Sequence, residues 1–196
     1  MKKRGPLSIR GERPVFANPW IMGVDYHVET DAGLSFTYTI VHFRNWATGV
    51  VPLHEDGTVT VVGQHRFALD AYSWEIPEGG ASEDEGPLAG AQRELAEEAG
   101  LVAETWQEIL QMHLSNSVTD EHAYVYLATG LSAVEAQPED TEDITIRRVP
   151  FAKVLEKVVK GEITDAVTVA AILKVSYMAR MGQLPGRLNE LLAPAG

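Results

Sequence analysis

Leu34, Phe36, Tyr38 and Ile40 alternate with smaller or polar residues, which predicts a half-buried strand. With the residues before it, this makes two β segments from Trp20 to Phe43 around the turn Asp31-Ala32-Gly33. Val50 to Leu53 and Val59 to Val62 flank Glu55-Asp56-Gly57, a strong hairpin signal. The apolar run Tyr124-Val125-Tyr126-Leu127 predicts a buried strand from Ala123 to Ala128, and Ile144, Ile146 and Val149 predict another. The pattern then turns helical. Pro150 opens a helix through Val158, stopped by Gly161, and Thr164 caps a longer one from Asp165 to about Met181, ended by Gly182. Strands first, one helix between them and helices last predict a mixed α/β layered domain. Residues 1–48 are aromatic-rich and too few to form a stable sheet alone, so they are expected to pack on the main domain, 49–196, or on a second copy of the chain.

Between the strands, Pro87 suits a first helical turn and Gly100 a left-handed cap, so Pro87 to Ala99 is predicted to be a helix. Leu88, Ala91, Leu95 and Ala99 share its core face. Glu94, Glu97 and Glu98 fall in an adjacent arc, with Gly90 one turn earlier on the same side. Glycine there costs about 1 kcal/mol relative to alanine, which implies that something occupies the space. Carboxylates held about 4 Å apart in a partly buried site repel by about 4 kcal/mol, and a divalent cation removes that penalty. Oxygen ligands favour Mg²⁺ or Mn²⁺. Arg93 is placed either to pair with Glu97 one turn on or to reach back to Glu85.

Composition narrows the function. The chain has 196 residues, 28 acidic against 16 Lys and Arg, and a formal charge of -12, which disfavours nucleic acid as a partner. No cysteine is present, so disulfides and thiolate ligands are excluded. The absence of a signal-peptide run or membrane-length apolar stretch predicts a soluble cytoplasmic protein with no membrane partner. The six histidines show no ligand spacing, and no serine lies in a nucleophile elbow.

Gly79, Glu85, Arg93, Glu94, Leu95, Glu97, Glu98, Gly100 and Leu101 together resemble the Nudix box at every fixed position. Trp74-Glu75-Ile76-Pro77-Glu78-Gly79, Gln64-His65-Arg66, Gly161 to Ala166 and Asn18-Pro19-Trp20-Ile21 resemble the ADP-ribose and nucleoside diphosphate sugar pyrophosphatase branch. The resemblance implies a Nudix-type α/β/α sandwich with a mixed sheet, plus a small N-terminal antiparallel sheet. It implies Glu94 and Glu98 as principal metal ligands, Glu97 as a further ligand in the catalytic set, and the Glu78 carbonyl as the last. Arg66 is expected to contact substrate. Members of the branch are typically homodimers whose N-terminal sheets reach the partner's pocket, so Trp20, Tyr26 and Tyr38 are candidates to stack on the base or to make packing contacts. The general base is expected among Glu139, Asp140, Glu142 and Asp143, with Glu142 favoured and Glu139 second.

The loop Leu114 to Glu121 lacks the proline that ADP-ribose-selective members often carry. The reading is therefore Mg²⁺-dependent hydrolysis of a nucleoside diphosphate sugar, with Ser117, Asp120 or Glu121 touching the sugar. The alternatives are an ADP-ribose-selective pyrophosphatase, a triphosphatase or decapping enzyme, and a nucleotide-sugar sensor without turnover.

Overall fold

The computed structural model describes residues 2–137 and 143–192. At the N-terminus, β1 (Lys2–Arg4), β2 (Leu7–Ala17), β3 (Ile21–Thr30) and β4 (Ser35–Phe43) form an antiparallel meander in that order. Alternation on β3 buries Val24, Tyr26 and Val28 against Leu7, Ile9, Tyr38 and Ile40, giving this sheet its own small core. The turn between β3 and β4 falls where the sequence predicts it, with Gly33 at φ 84. The sequence reading missed β1 and β2: register shifts between Ile9 and Gly11 and between Pro14 and Phe16 break the alternation of β2.

The remaining elements are β5 (Trp46–Pro52), β6 (Thr58–Arg66), β7 (Ala71–Glu75), β8 (Glu78–Ala81), α1 (Pro87–Ala99), β9 (Leu101–His113), β10 (His122–Ala133), β11 (Thr145–Pro150), α2 (Phe151–Val159), α3 (Ala166–Arg180) and α4 (Leu188–Leu192). Two sheets, β8-β5-β10-β9 and β11-β6-β7, make the middle layer. The first is mixed, since β5 and β10 run parallel. Alternation sorts the side chains of both sheets to two faces. Val50, Val62, Tyr126 and Ala128 pack on Ala91 and Leu95 of α1, while Val51, Val61, Val125 and Leu127 pack on Phe151, Val154 and Ile172. The result is the expected α/β/α sandwich.

Three local expectations need correction. The turn at Glu55-Asp56-Gly57 forms, with the Gly57 N–H donating to His54 O at 2.9 Å, but its strands do not make a hairpin. A bridge between Leu53 and Val59 and a 2.9 Å bond from the His54 N–H to the Thr58 carbonyl join their ends, but β5 pairs with β8 and β10 while β6 lies between β7 and β11. Asp165 rather than Thr164 caps α3, its Oδ2 accepting the Thr168 N–H at 2.7 Å, as a carboxylate at the positive end of a helix dipole should. Leu88 is exposed, while Ala91, Leu95 and Ala99 carry the core face of α1. Among the described residues, no helix is long and apolar enough to cross a membrane.

Candidate active site

The site is built on α1 and the strand-loop that precedes it. Pro87 starts the helix, and Gly100 ends it in the left-handed region at φ 61. Arg93 does at once both things the sequence left open. Its Nε donates to Glu85 Oε1 at 2.9 Å, and its Nη1 to Glu94 Oε1 at 2.8 Å and Glu97 Oε2 at 2.7 Å. Its Nη2 donates to the Gly80 carbonyl at 2.7 Å. These partners raise the Arg93 pKa, with the Glu85 hydrogen bond the largest cause. One guanidinium thus pins the loop to the helix and orients two candidate ligands.

Two further ties fix the loop backbone. Glu98 is 2% exposed, and its Oε2 accepts the Glu78 N–H at 2.8 Å. Thr48 Oγ1 on β5 donates to the Gly79 carbonyl at 3.2 Å. A side chain at Gly79 would overlap the Glu94 carboxylate, so glycine lets the loop lie directly on the acidic arc. The space beside Gly90 is not left for a ligand. A Cβ there would overlap Ala81 of β8, so Gly90 serves close packing of strand on helix.

Arg66 sits opposite. Its Nε donates to both oxygens of Glu75, at 3.1 and 3.0 Å, and its Nη2 reaches Glu75 and, at 3.2 Å, Glu78 Oε1. Burial works against the Arg66 cation, but Glu75, Glu78 and Glu98 outweigh it and raise its pKa. Glu75, Glu78 and Asp165 offer carboxylate oxygens that all lie within 4.8 Å of one another. The Glu78 pKa is pushed well above its ordinary value by burial first, then by Asp165 and Glu75, with Arg66 opposing. Glu78 Oε2 is buried with no hydrogen-bond partner. A buried acceptor without a donor, among carboxylates that repel, fits a hard divalent cation better than it fits a closed hydrogen-bond network.

A cavity of about 390 Å³ opens over this floor. Trp20, Arg66, Glu78 and Glu121 line it together, with Gly79 and Gly80. Burial raises the Glu121 pKa. Tyr38 is elsewhere: it lines a separate cavity on the N-terminal sheet, its hydroxyl donating to the Ser117 carbonyl. Tyr26 is buried and hydrogen-bonded to His42 Nε2 at 2.9 Å, so within this chain neither tyrosine presents its ring to the cavity over the acidic floor. Asp120 is bound to His42 and the Phe43 N–H rather than directed at the cavity. Glu139 and Glu142 lie outside the described residues.

The cavity also contains residues the sequence did not single out for it, namely Phe43, Asn45, Trp46, Thr48 and Asp165. Only Asp165 carried a local signal, through the Gly161 to Ala166 segment and its position at a helix start.

A NUDIX domain family model matches residues 43–169. Over 147 residues the chain is 35% identical to an ADP-ribose pyrophosphatase of Mycobacterium tuberculosis (strain ATCC 25618 / H37Rv), covering 73% of this chain and 70% of that protein. Over 177 residues it is 28% identical to a CMP-5'-(N-acetyl-N-hydroxy-3-aminopropyl)phosphonate hydrolase of Streptomyces rubellomurinus (strain ATCC 31215), covering 90% and 85%. A solved structure of an ADP compounds hydrolase matches with a TM-score of 0.81 over 94% of this chain and 100% of its own, at 18% identity, which shows a shared fold. With the acidic helix, its pinned glycine loop and these relatives in agreement, the chain belongs to the NUDIX family of hydrolases.

Proposed function

We propose that this chain hydrolyses the pyrophosphate of a nucleoside diphosphate sugar to a nucleoside monophosphate and a sugar phosphate, with Mg²⁺, or Mn²⁺, as its cation. The observation that carries the reading is one cavity over the acidic floor that Arg66, Trp20 and Glu121 line together. Glu94, Glu97, Glu98 and the Glu78 carbonyl would hold the cation, and the Glu78 carboxylate clusters with those of Glu75 and Asp165. When bound, such a cation neutralises the pyrophosphate and lowers the pKa of an attacking water.

The protein's own groups do the rest. Arg66, already oriented by Glu75, presents its guanidinium to a phosphate oxygen. Gly79 and Gly80 let the loop backbone approach the phosphates. Trp20, which is 66% exposed, offers a face to the base, and Glu121 accepts from sugar hydroxyls. The water's proton goes to Glu142, with Glu139 as the second candidate. We further propose that residues 1–48 act as a unit that completes the pocket in a cytoplasmic homodimer, where Tyr38 would serve the partner's side.

ADP-ribose is the substrate favoured by the similarity to the Mycobacterium tuberculosis enzyme. A broader range is favoured by the Streptomyces relative, named for a cytidine substrate and similar over nearly the whole chain. A panel of ADP-ribose, UDP-sugars and GDP-sugars assayed with Mg²⁺ decides between them. Cleavage of several supports the broad reading, and cleavage of ADP-ribose alone supports the narrow one. Cleavage of none, with nucleoside triphosphates or RNA caps consumed instead, overturns both.

A further inference from the structure

The loop between β9 and β10 is fastened to β4, which among the described residues is the edge strand of the N-terminal sheet. The Val41 N–H donates to the Val118 carbonyl at 2.9 Å, Tyr38 Oη donates to the Ser117 carbonyl, and Val41 bridges Thr119. At the end nearest the cavity the fastening passes to side chains. Asp120 Oδ1 accepts the Phe43 N–H at 2.9 Å, and Oδ2 pairs with His42 Nδ1. His42 Nε2 meets Tyr26 Oη at 2.9 Å, and Tyr26 is buried in the core of the sheet. The Arg44 N–H, one residue past β4, donates to the Trp20 carbonyl at 2.9 Å.

This chain of contacts ends on both sides at the substrate cavity. Glu121 follows Asp120 directly, and Phe43 follows His42 directly. Glu121, Phe43 and Trp20 all line the cavity, although they come from a sheet and a loop that are distant in sequence. Asp120 itself is half exposed, yet both of its oxygens are committed to β4. An exposed carboxylate with ordinary surface duty has no reason to be held in this way.

We infer that Asp120 and His42 form a latch, anchored on Tyr26, that positions Glu121 for the sugar end of the substrate in the cavity that Trp20 and Phe43 also line. The inference rests on the proposed function for its ligand, but the latch is a property of the fold. Asp120 and His42 are positioning residues, acting through Glu121 without touching substrate.

The test compares Asp120→Ala, Asp120→Asn and Asp120→Ala with His42→Ala, using ADP-ribose and Mg²⁺. Losing a charge-assisted hydrogen bond and a backbone tie is expected to raise KM about tenfold in Asp120→Ala, with kcat held within about twofold. Asp120→Asn keeps an acceptor for the Phe43 N–H and is expected to fall between. Adding His42→Ala to Asp120→Ala is expected to change KM no further, because the pair acts as a unit. Hydrogen–deuterium exchange of 40–44 and 114–121 is expected to be faster in Asp120→Ala. A fall in kcat at unchanged KM indicates only a loss of active molecules and overturns the latch. Unchanged exchange in both segments overturns it whatever the substrate. A wild-type protein inert toward every nucleoside diphosphate sugar sinks the proposed function alone, and the exchange result still decides the latch.

Discussion

Arg66 has two duties that pull on its stability in opposite directions. Glu75, 3% exposed, relies on it as a counter-ion, while the proposed chemistry needs its guanidinium at a phosphate. Arg66→Ala is therefore expected to cost about 3 kcal/mol in a urea melt, because it strands a buried carboxylate beside Glu78 and Asp165. Adding Glu75→Gln is expected to recover most of that stability by removing the stranded charge, while turnover stays low. If the double variant recovers turnover as well, Arg66 serves only the fold. The sequence exposed one half of this arrangement and hid the other. Glu94, Glu97 and Glu98 lie within one helical turn, so their convergence follows from helix geometry alone. The grip of Arg66 on Glu75 depends on how β6 pairs with β7, and the isolation of Tyr38 depends on which face of the N-terminal sheet it joins. Those are facts of tertiary register.

The acidic helix is held against β8 by contact as well as by charge. Gly90 and Ala81 touch where α1 crosses the strand, leaving no room for one methyl group. By helix propensity alone, Gly90→Ala should stabilise by about 1 kcal/mol. Overpacking against a short side chain that cannot swing away is the larger effect, so a net destabilisation of about 1–2 kcal/mol is expected by thermal or urea unfolding. A stabilised variant would mean that β8 yields easily and that the packing of Gly90 on Ala81 does not fix the loop. The same dependence on neighbours decided which elements could be read in advance. The helix α1 carried its own start and stop, and its bounds agree with the sequence reading, although Leu88 of the expected core face is exposed. Across from β10, β9 slips phase where Val125 pairs with Leu110 and Tyr126 with Glu108, leaving Ile109 as the bulged residue. A bulge moves every later side chain to the opposite face, so the alternation that would have announced this strand is broken in its middle. At Glu55-Asp56-Gly57 the turn chemistry was legible, but the partners of β5 and β6 were not, because they come from distant segments.

Over the whole molecule the charge is -12, and Glu75, Glu78 and Asp165 crowd together at the cavity floor. Any added salt stabilises such a protein by screening, so a cation site must show itself beyond that background. The sign of its pH dependence follows from Glu78, whose folded pKa is raised by burial and by neighbouring acids. Without a cation, this group is more protonated folded than unfolded. It therefore opposes folding in full above its folded pKa, and that opposition fades as pH falls from there to its unfolded pKa of about 4.3. A bound cation competes with that proton, so its stabilisation should be largest where the cluster is ionised and shrink as the pH is lowered through the raised Glu78 range. Saturation about a hundredfold above Kd contributes about 2.7 kcal/mol, or an increase in Tm of roughly 5 °C or more. Scanning calorimetry at a higher and a lower pH, with MgCl₂ against NaCl of equal ionic strength, is expected to show a larger excess at the higher pH than at the lower. Glu98→Gln keeps an oxygen to accept the Glu78 N–H but removes the buried charge, and is expected to erase the excess with the fold intact. Equal shifts with both salts at the higher pH would mean that the floor is a solvated acidic patch, and the proposed catalysis would lose its cation.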